Sequence, residues 1–328
     1  MQNETITNPT IGTLRLATPI ILAPMAGISN LPYRRIMKSF GAGLVMTEMV
    51  SANGLIREGR KTRVLLDTHT EEFPLGIQLF GDDPQVLAQA AEMITEDGQL
   101  LDINMGCPVK KVIRSGAGSA LLREPARIAA ILAAVRKVWP GPLTIKIRSG
   151  WDDQSVNFLT IGEIAEREGV DAITLHPRTR SQGFSGHADW ERIGELKSTL
   201  KIPVFGSGDI FTPEDAITMF EKTGCDAVMI GRGGYGNPWL IARILDQLSG
   251  RPDSLPTPEE IHAVAQRHLE LYLEQFGEKI TLLEMRKHLC WYARGLVGAS
   301  QFRATIQKVA STAQLSELME AFFAQNDH

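Results

Sequence analysis

A carboxamide and a thiol stand three residues apart in Asp102-Ile103-Asn104-Met105-Gly106-Cys107-Pro108, with Lys110, Lys111 and Arg114 directly behind them. A free cysteine is most often a small buried hydrophobe. A Gly-Cys-Pro turn just beyond an apolar run instead exposes the side chain, and its proline removes a backbone donor that a core segment would use. No histidine lies nearby in sequence to draw off the thiol proton. With an ordinary pKa of ~8.5 the group stays protonated at neutral pH, which favours a proton donor over a thiolate nucleophile. Cys225, opening an apolar run at its N-terminal end, and Cys290, among apolar helix residues, read as core. In Ile145-Lys146-Ile147-Arg148 the alternation puts both cations on one face. A lysine between isoleucines whose flanks look buried needs something anionic or electron-rich to meet. His176-Pro177-Arg178-Thr179-Arg180 ends another apolar run, and Gln78, between Ile77 and Leu79, offers both a donor and an acceptor.

The elements that position these groups are short apolar, β-branched runs separated by helical stretches. Eight runs read as strands: 20–23, 44–47, 75–79, 101–104, 143–147, 172–175, 204–206 and 227–230. Asp82-Asp83-Pro84 and Thr212-Pro213-Glu214-Asp215 carry helix-start signals between them. The spacing predicts βα units closing into a (β/α)8 barrel, an α/β fold whose chemistry sits at the C-terminal ends of its strands. A doubly wound open sheet is the structural alternative. Near Ser249-Gly250-Arg251-Pro252-Asp253-Ser254-Leu255-Pro256 the composition becomes that of a linker, and Thr257-Pro258-Glu259-Glu260 opens a helical tail. The expected division is a catalytic barrel over 1–250 and a domain of about four helices over 251–328.

Phosphate in such barrels binds at the loops after strands 7 and 8. Here these loops read Gly206-Ser207-Gly208-Asp209-Ile210 and Ile230-Gly231-Arg232-Gly233-Gly234. Glycine lets backbone N–H groups approach phosphate oxygens, and Arg232 adds charge. No Gly-x-Gly-x-x-Gly fingerprint follows the first strand. Ala23-Pro24-Met25-Ala26-Gly27 stands there instead, a rigid wall suited to lie beside a flat ring. FMN fits this pattern better than bound NAD.

Taken in order, Ala-Pro-Met-Ala-Gly at 23–27, Asn-Met-Gly-Cys-Pro at 104–108, Lys-Ile-Arg at 146–148, His-Pro-Arg-Thr-Arg at 176–180, Gly-Asp-Ile at 208–210 and Gly-Arg at 231–232 resemble the tRNA-dihydrouridine synthases, in particular their bacterial B-type branch. The resemblance runs from about Ile20 through the tail. It implies an FMN barrel followed by a helical domain that contacts tRNA, with NADPH or NADH as reductant. By the same resemblance Pro24, Met25, Ala26, Gln78, Lys146, His176, Ser207, Gly208, Asp209, Gly231 and Arg232 surround FMN. Cys107 is the proton donor, and Asn104 and Arg178 address the uracil. The family commonly carries asparagine before Gly-Asp, where this chain has Ser207. Lys110, Lys111 and Arg114 are expected at the entrance, with Arg286, Lys287, Arg294, Arg303 and Lys308 on the helical tail holding RNA phosphates.

Composition bounds the reading without carrying it. A chain of 328 residues with 43% hydrophobic content can bury a sizeable core, and its net charge of -4 gives no hint of nucleic acid. No run approaches the ~18 apolar residues of a membrane span, and the polar N-terminus lacks a secretory pattern, so a cytoplasmic protein is expected. Three widely spaced cysteines argue against disulfides and structural zinc. No metal and a monomer complete the expectation. Two other functions are weighed: a free-pyrimidine oxidoreductase resembling dihydroorotate dehydrogenase, which needs no helical tail, and a tRNA-binding protein without catalysis, against which an intact Cys107 speaks.

Overall fold

In a computed structural model of the chain, the structure describes residues 7–326. Eight parallel strands carry the architecture: β1 (Ile20–Leu22), β2 (Val45–Ser51), β3 (Leu75–Phe80), β4 (Leu100–Met105), β5 (Leu143–Arg148), β6 (Ala172–His176), β7 (Val204–Ser207) and β8 (Ala227–Ile230). They pair in the spatial order β1-β8-β7-β6-β5-β4-β3-β2, and a parallel bridge between Ile21 and Leu44 joins the two ends. The sheet is therefore a closed barrel, and the open-sheet alternative falls.

Alternation along each strand sorts the side chains. Ile77, Ile103, Ile145, Ile147, Ile173 and Val228 point outward and are buried against the helical layer. Ile21, Leu44, Met46, Leu100, Ala172, Phe205, Ala227 and Met229 pack together inside the barrel. Lys146 thus differs from expectation in one respect: the isoleucines flanking it face helices, while the lysine faces the barrel axis. A short antiparallel ribbon, Thr10–Ile11 with Leu14–Arg15, precedes β1, and its Ile11 joins the interior cluster.

Helices α1 (Leu31–Ser39), α2 (Pro84–Glu92), α3 (Pro125–Val138), α4 (Phe158–Arg167), α5 (Glu191–Thr199), α6 (Pro213–Thr223) and α7 (Trp239–Leu248) lie among the connections and after β8. The start signals work as chemistry requires. Asp83 accepts from the Gln85 and Val86 N–H groups, each at 2.9 Å, and Thr212 with Asp215 forms a capping box. After the linker, α8 (Pro258–Tyr292) begins at the Thr257–Glu260 capping box and is broken at Gly277, whose φ of 70° no helix interior accepts. With α9 (Ala299–Ile306) and α10 (Thr312–Ala324) this gives four helical segments. They share a core of their own around Tyr272, Leu289, Leu315 and Phe323. No helix among the described residues is long and apolar enough to cross a membrane.

Candidate active site

A cavity of about 330 Å³ opens at the C-terminal end of the barrel. Pro24, Met25 and Ala26 after β1, Asn104 and Cys107 at β4, Lys146 on β5, His176 on β6, Ser207, Gly208 and Asp209 at β7, and Gly231 and Arg232 after β8 all line it. Twelve of the fourteen residues singled out from sequence therefore meet at one place.

Gln78 and Arg178 are the two that do not. Gln78 is fully buried beneath the cavity, where its Nε2 donates to Asp102 Oδ2 at 2.6 Å and its Oε1 accepts from Asn104 Nδ2 at 2.7 Å. Asn104 Oδ1 in turn accepts from the Gly106 and Cys107 N–H groups at 3.2 and 3.0 Å. The amides form a relay that ends on the thiol-bearing turn. Arg178, also buried, forks onto Asp209 at 2.9 and 2.7 Å and donates to the carbonyls of Ser185 and Gly186. Its guanidinium donates to protein acceptors beside Asp209 and lines a neighbouring pocket with Phe184, Phe211 and Arg232.

The Cys107 turn is held from both sides. Its carbonyl accepts from the Ser119 N–H at 3.1 Å and the Ser119 hydroxyl at 2.9 Å. Gly118 closes that loop with φ +61°, where an added Cβ would stand 2.8 Å from the Cys107 oxygen. Arg148, buried, donates from Nε to the Gly106 carbonyl at 3.1 Å and from Nη1 to the Thr179 and Gly183 carbonyls. It ties the thiol turn to the loop after β6.

Burial decides the charge states. Cys107 is 8% exposed, and loss of water pushes its thiol above the ordinary value against the pull of Arg148 and Lys146, so the proton stays on sulfur at neutral pH. Lys146 is lowered to about 8, by burial first and by Arg148 second, while Asp102 and Cys107 work the other way. His176 falls well below its usual range through burial and the surrounding cations, and is neutral. Its Nε2 lies 3.3 Å from Arg178 Nη1, which can only donate, so the imidazole proton is assigned to Nδ1. Asp102 is raised to about 6 by burial, in spite of hydrogen bonds from Thr144 and Gln78 and the charge of Lys146.

The loops after β7 and β8 meet backbone to backbone: a Cβ on Gly233 would lie 2.1 Å from the Ile210 oxygen. Gly208, with φ +109°, lets the chain pass the His176 ring, and Asp209 holds the rare non-glycine φ of 58°. Burial alone would raise Asp209, but the Arg178 fork keeps its carboxyl below the usual range. Arg232 lies 4.4 Å from the Phe184 ring and 5.6 Å from Phe211, both exposed at the rim.

Sequence reasoning missed Asp102, Phe184, Phe211 and Tyr235. A signal existed for Asp102, since period two from Asn104 turns it inward, and an acid inside a barrel is abnormal. The aromatics lie in loops with no periodicity to mark them. Of the tail cations, Arg294, Arg303 and Lys308 are exposed. Arg286 donates to the Val309 carbonyl, and Lys287 reaches Gly27 and Glu284.

A family model described as dihydrouridine synthase matches residues 21–326. The chain is 40% identical to tRNA-dihydrouridine synthase B of Pseudomonas aeruginosa, over 97% of this chain and 96% of that one. It is 39% identical to a probable tRNA-dihydrouridine synthase of Rickettsia bellii, over 95% and 97%. Among solved structures, a 2-naphthoyl-CoA reductase aligns with a TM-score of 0.58 at 14% identity over 77% of this chain, and the 6-hydroxypseudooxynicotine amine oxidase of Pseudomonas geniculata with 0.59 at 11% over 75%. The chain spans about half of each of those structures, 53% and 50%. They speak for the barrel alone.

Proposed function

The chain belongs to the dihydrouridine synthase family, and from that membership we propose that it reduces the C5–C6 double bond of uridines in tRNA, with FMN in the barrel-mouth cavity and NADPH or NADH as reductant. The observation that carries this reading is one cavity lined by a protonated thiol, an ammonium and two glycine-rich turns bearing an arginine. The donor set suits FMN. A cavity of about 330 Å³ is in the range of small-molecule sites. Gly208, Gly231 and Arg232 suit a phosphate, and Pro24, Met25 and Ala26 offer a flat wall. Lys146 has no hydrogen-bond acceptor among the described residues and suits an electron-rich ring edge; His176 Nδ1–H and Ser207 add donors.

Reduced FMN would supply a hydride to C6 of the uracil. The chain's own groups do the rest. Negative charge develops toward C5 and the C4 carbonyl of the base, and the Cys107 S–H protonates C5, with the Asn104 relay and Ser119 fixing the turn that carries it. Arg148 and Lys146 place positive charge beside the site in low dielectric, where it stabilises developing anion. Gln78 and Arg178 enter the reading as supports, one for Asn104 and the other for Asp209. A uridine inside folded RNA must swing out to reach the cavity.

The division into a catalytic barrel over 1–250 and a tRNA-binding tail over 251–328 is part of the same proposal, supported by the separate core of the tail. Arg294, Arg303 and Lys308, with Lys110, Lys111 and Arg114 near the cavity, are the exposed cations offered to phosphate. A monomer is part of the same proposal, and a tRNA substrate implies the cytoplasm. The test is reconstitution: the purified chain with FMN, NADPH and tRNA lacking dihydrouridine should form that nucleoside. A chain that takes up no flavin, or leaves such tRNA unchanged when loaded, would end the proposal.

A further inference from the structure

Two loops that border the cavity are gripped from outside by one face of α8. Gly27 follows Met25 and Ala26 with φ +73°. Its carbonyl accepts from Lys287 Nζ at 2.6 Å, and its N–H donates to the half-buried Glu48 carboxylate. Lys287 is kept in place by Glu284, one turn back on the same helix. Four residues further along, Trp291 stacks on Tyr235, with centroids 4.4 Å apart and planes at 16°. Tyr235 lines the cavity. Gly236 beside it has φ +64°, and an added Cβ would stand 2.4 Å from the Trp291 carbonyl carbon, so this approach leaves no room for a side chain. Tyr33 also donates to the Gly234 carbonyl at 2.8 Å, and Asn30 to the Tyr272 hydroxyl at 2.5 Å.

We propose that Lys287 and Trp291 are positioning residues of the cofactor site, by which the helical tail sets the β1 and β8 loops and so completes the flavin cavity from outside the barrel. Lys287 was expected from sequence to bind RNA phosphate, as a cation on an exposed helix normally would. Its ammonium is instead shared between a backbone oxygen of the ring-wall loop and Glu284, which leaves little charge to offer RNA. Trp291 closes the second loop by ring stacking and shape alone. The inference rests on the FMN reading above, yet it makes a demand that reading does not: the tail must matter to the flavin before any RNA arrives.

The experiment uses the full-length chain, stripped of flavin and titrated with FMN by fluorescence quenching without RNA, followed by tRNA binding as a function of salt. Lys287→Met and Trp291→Leu are compared with the wild type, since the partly exposed Lys287 can be replaced without opening a core. Each should weaken FMN binding by about tenfold, the scale of one lost charge-assisted hydrogen bond or ring stack. Lys287→Met should leave the salt slope of tRNA binding unchanged. Wild-type FMN affinity in both variants overturns the inference. So does a Lys287→Met protein with intact FMN affinity whose tRNA salt slope falls by about one, the signature of a lost phosphate contact. A wild type that binds no FMN at all removes the cofactor reading itself, and this inference with it.

Discussion

Asp102 lies in the barrel interior, 2% exposed, and the charges that bear on Lys146 are few enough to follow. Burial and Arg148 lower the lysine to about 8, and Asp102 holds it up. A lysine with a lowered pKa loses its proton as pH rises through that value. About nine-tenths remains charged one pH unit below the midpoint and about one-tenth one unit above it. Asp102 pairs in register with Thr144, two residues before Lys146 on β5, which is a diagonal neighbour across adjacent strands. At ~7 Å and an effective dielectric of about 20, such a pair interacts by about 2 kcal/mol. Asp102→Asn removes that support and, at about 1.4 kcal/mol per unit, should move the lysine midpoint down by about 1.5 pH units. Burial raises the carboxyl to about 6, so it is ionised across the wild-type lysine limb between about pH 7 and 9. The assay is the initial rate of tRNA reduction from pH 6 to 9 at saturating tRNA and NADPH. The wild type should lose activity on the alkaline side with a midpoint near 8. Asp102→Asn should lose it near about 6.5, roughly eightfold down at pH 7.5 and at about three-quarters of the wild-type rate at pH 6. Lys146→Met should lack the limb altogether. An alkaline limb unmoved in Asp102→Asn would refute the electrostatic argument.

Removing the fork in Arg178→Met leaves Asp209 with Arg232 at 3.5 Å and the Ala188 N–H and should cost about 2 kcal/mol by urea unfolding of the flavin-free chain; a loss under about 0.5 kcal/mol would return Arg178 to the pool of groups free to meet substrate. Gly118→Ala meets both a left-handed φ and the Cys107 carbonyl, so turnover of tRNA should fall while single-turnover flavin reduction by NADPH stays within about twofold. Equal loss in both half-reactions would point to general damage. Arg294→Ala and Arg303→Ala should each weaken tRNA binding and reduce its salt slope by about one, measured by filter binding, with flavin affinity unchanged.

Much of the barrel was legible because its strands are short apolar runs, and all but β3 carry or lead into residues that line the cavity. Strand ends marked Cys107, Lys146, His176 and the two glycine-rich turns, and the family resemblance supplied the rest of the twelve that line the cavity. What the sequence did not separate was lining from support. Gln78 and Arg178 carry the same side-chain types as their neighbours in the cavity, and only closure of the barrel turned Gln78 toward Asp102 and the return of the β6 loop placed Arg178 behind Asp209. The ribbon at residues 10–15 went unread because strands of two residues leave no period. Lys287 looked like any cation on a solvated helix. Its partner Gly27 is 260 residues away in the chain, a pairing that no local pattern encodes.

In the proposed reaction the Cys107 sulfur delivers the proton that completes a saturated uracil. The most direct measurement of that step is mass spectrometry of tRNA lacking dihydrouridine after incubation with FMN-loaded wild type and Cys107→Ala, at equal flavin content and with tRNA binding verified for both. The wild type should convert a uridine to a species heavier by two hydrogen atoms, and the variant should do so at least tenfold more slowly while binding RNA as well. Equal rates of conversion by the two proteins would contradict the account.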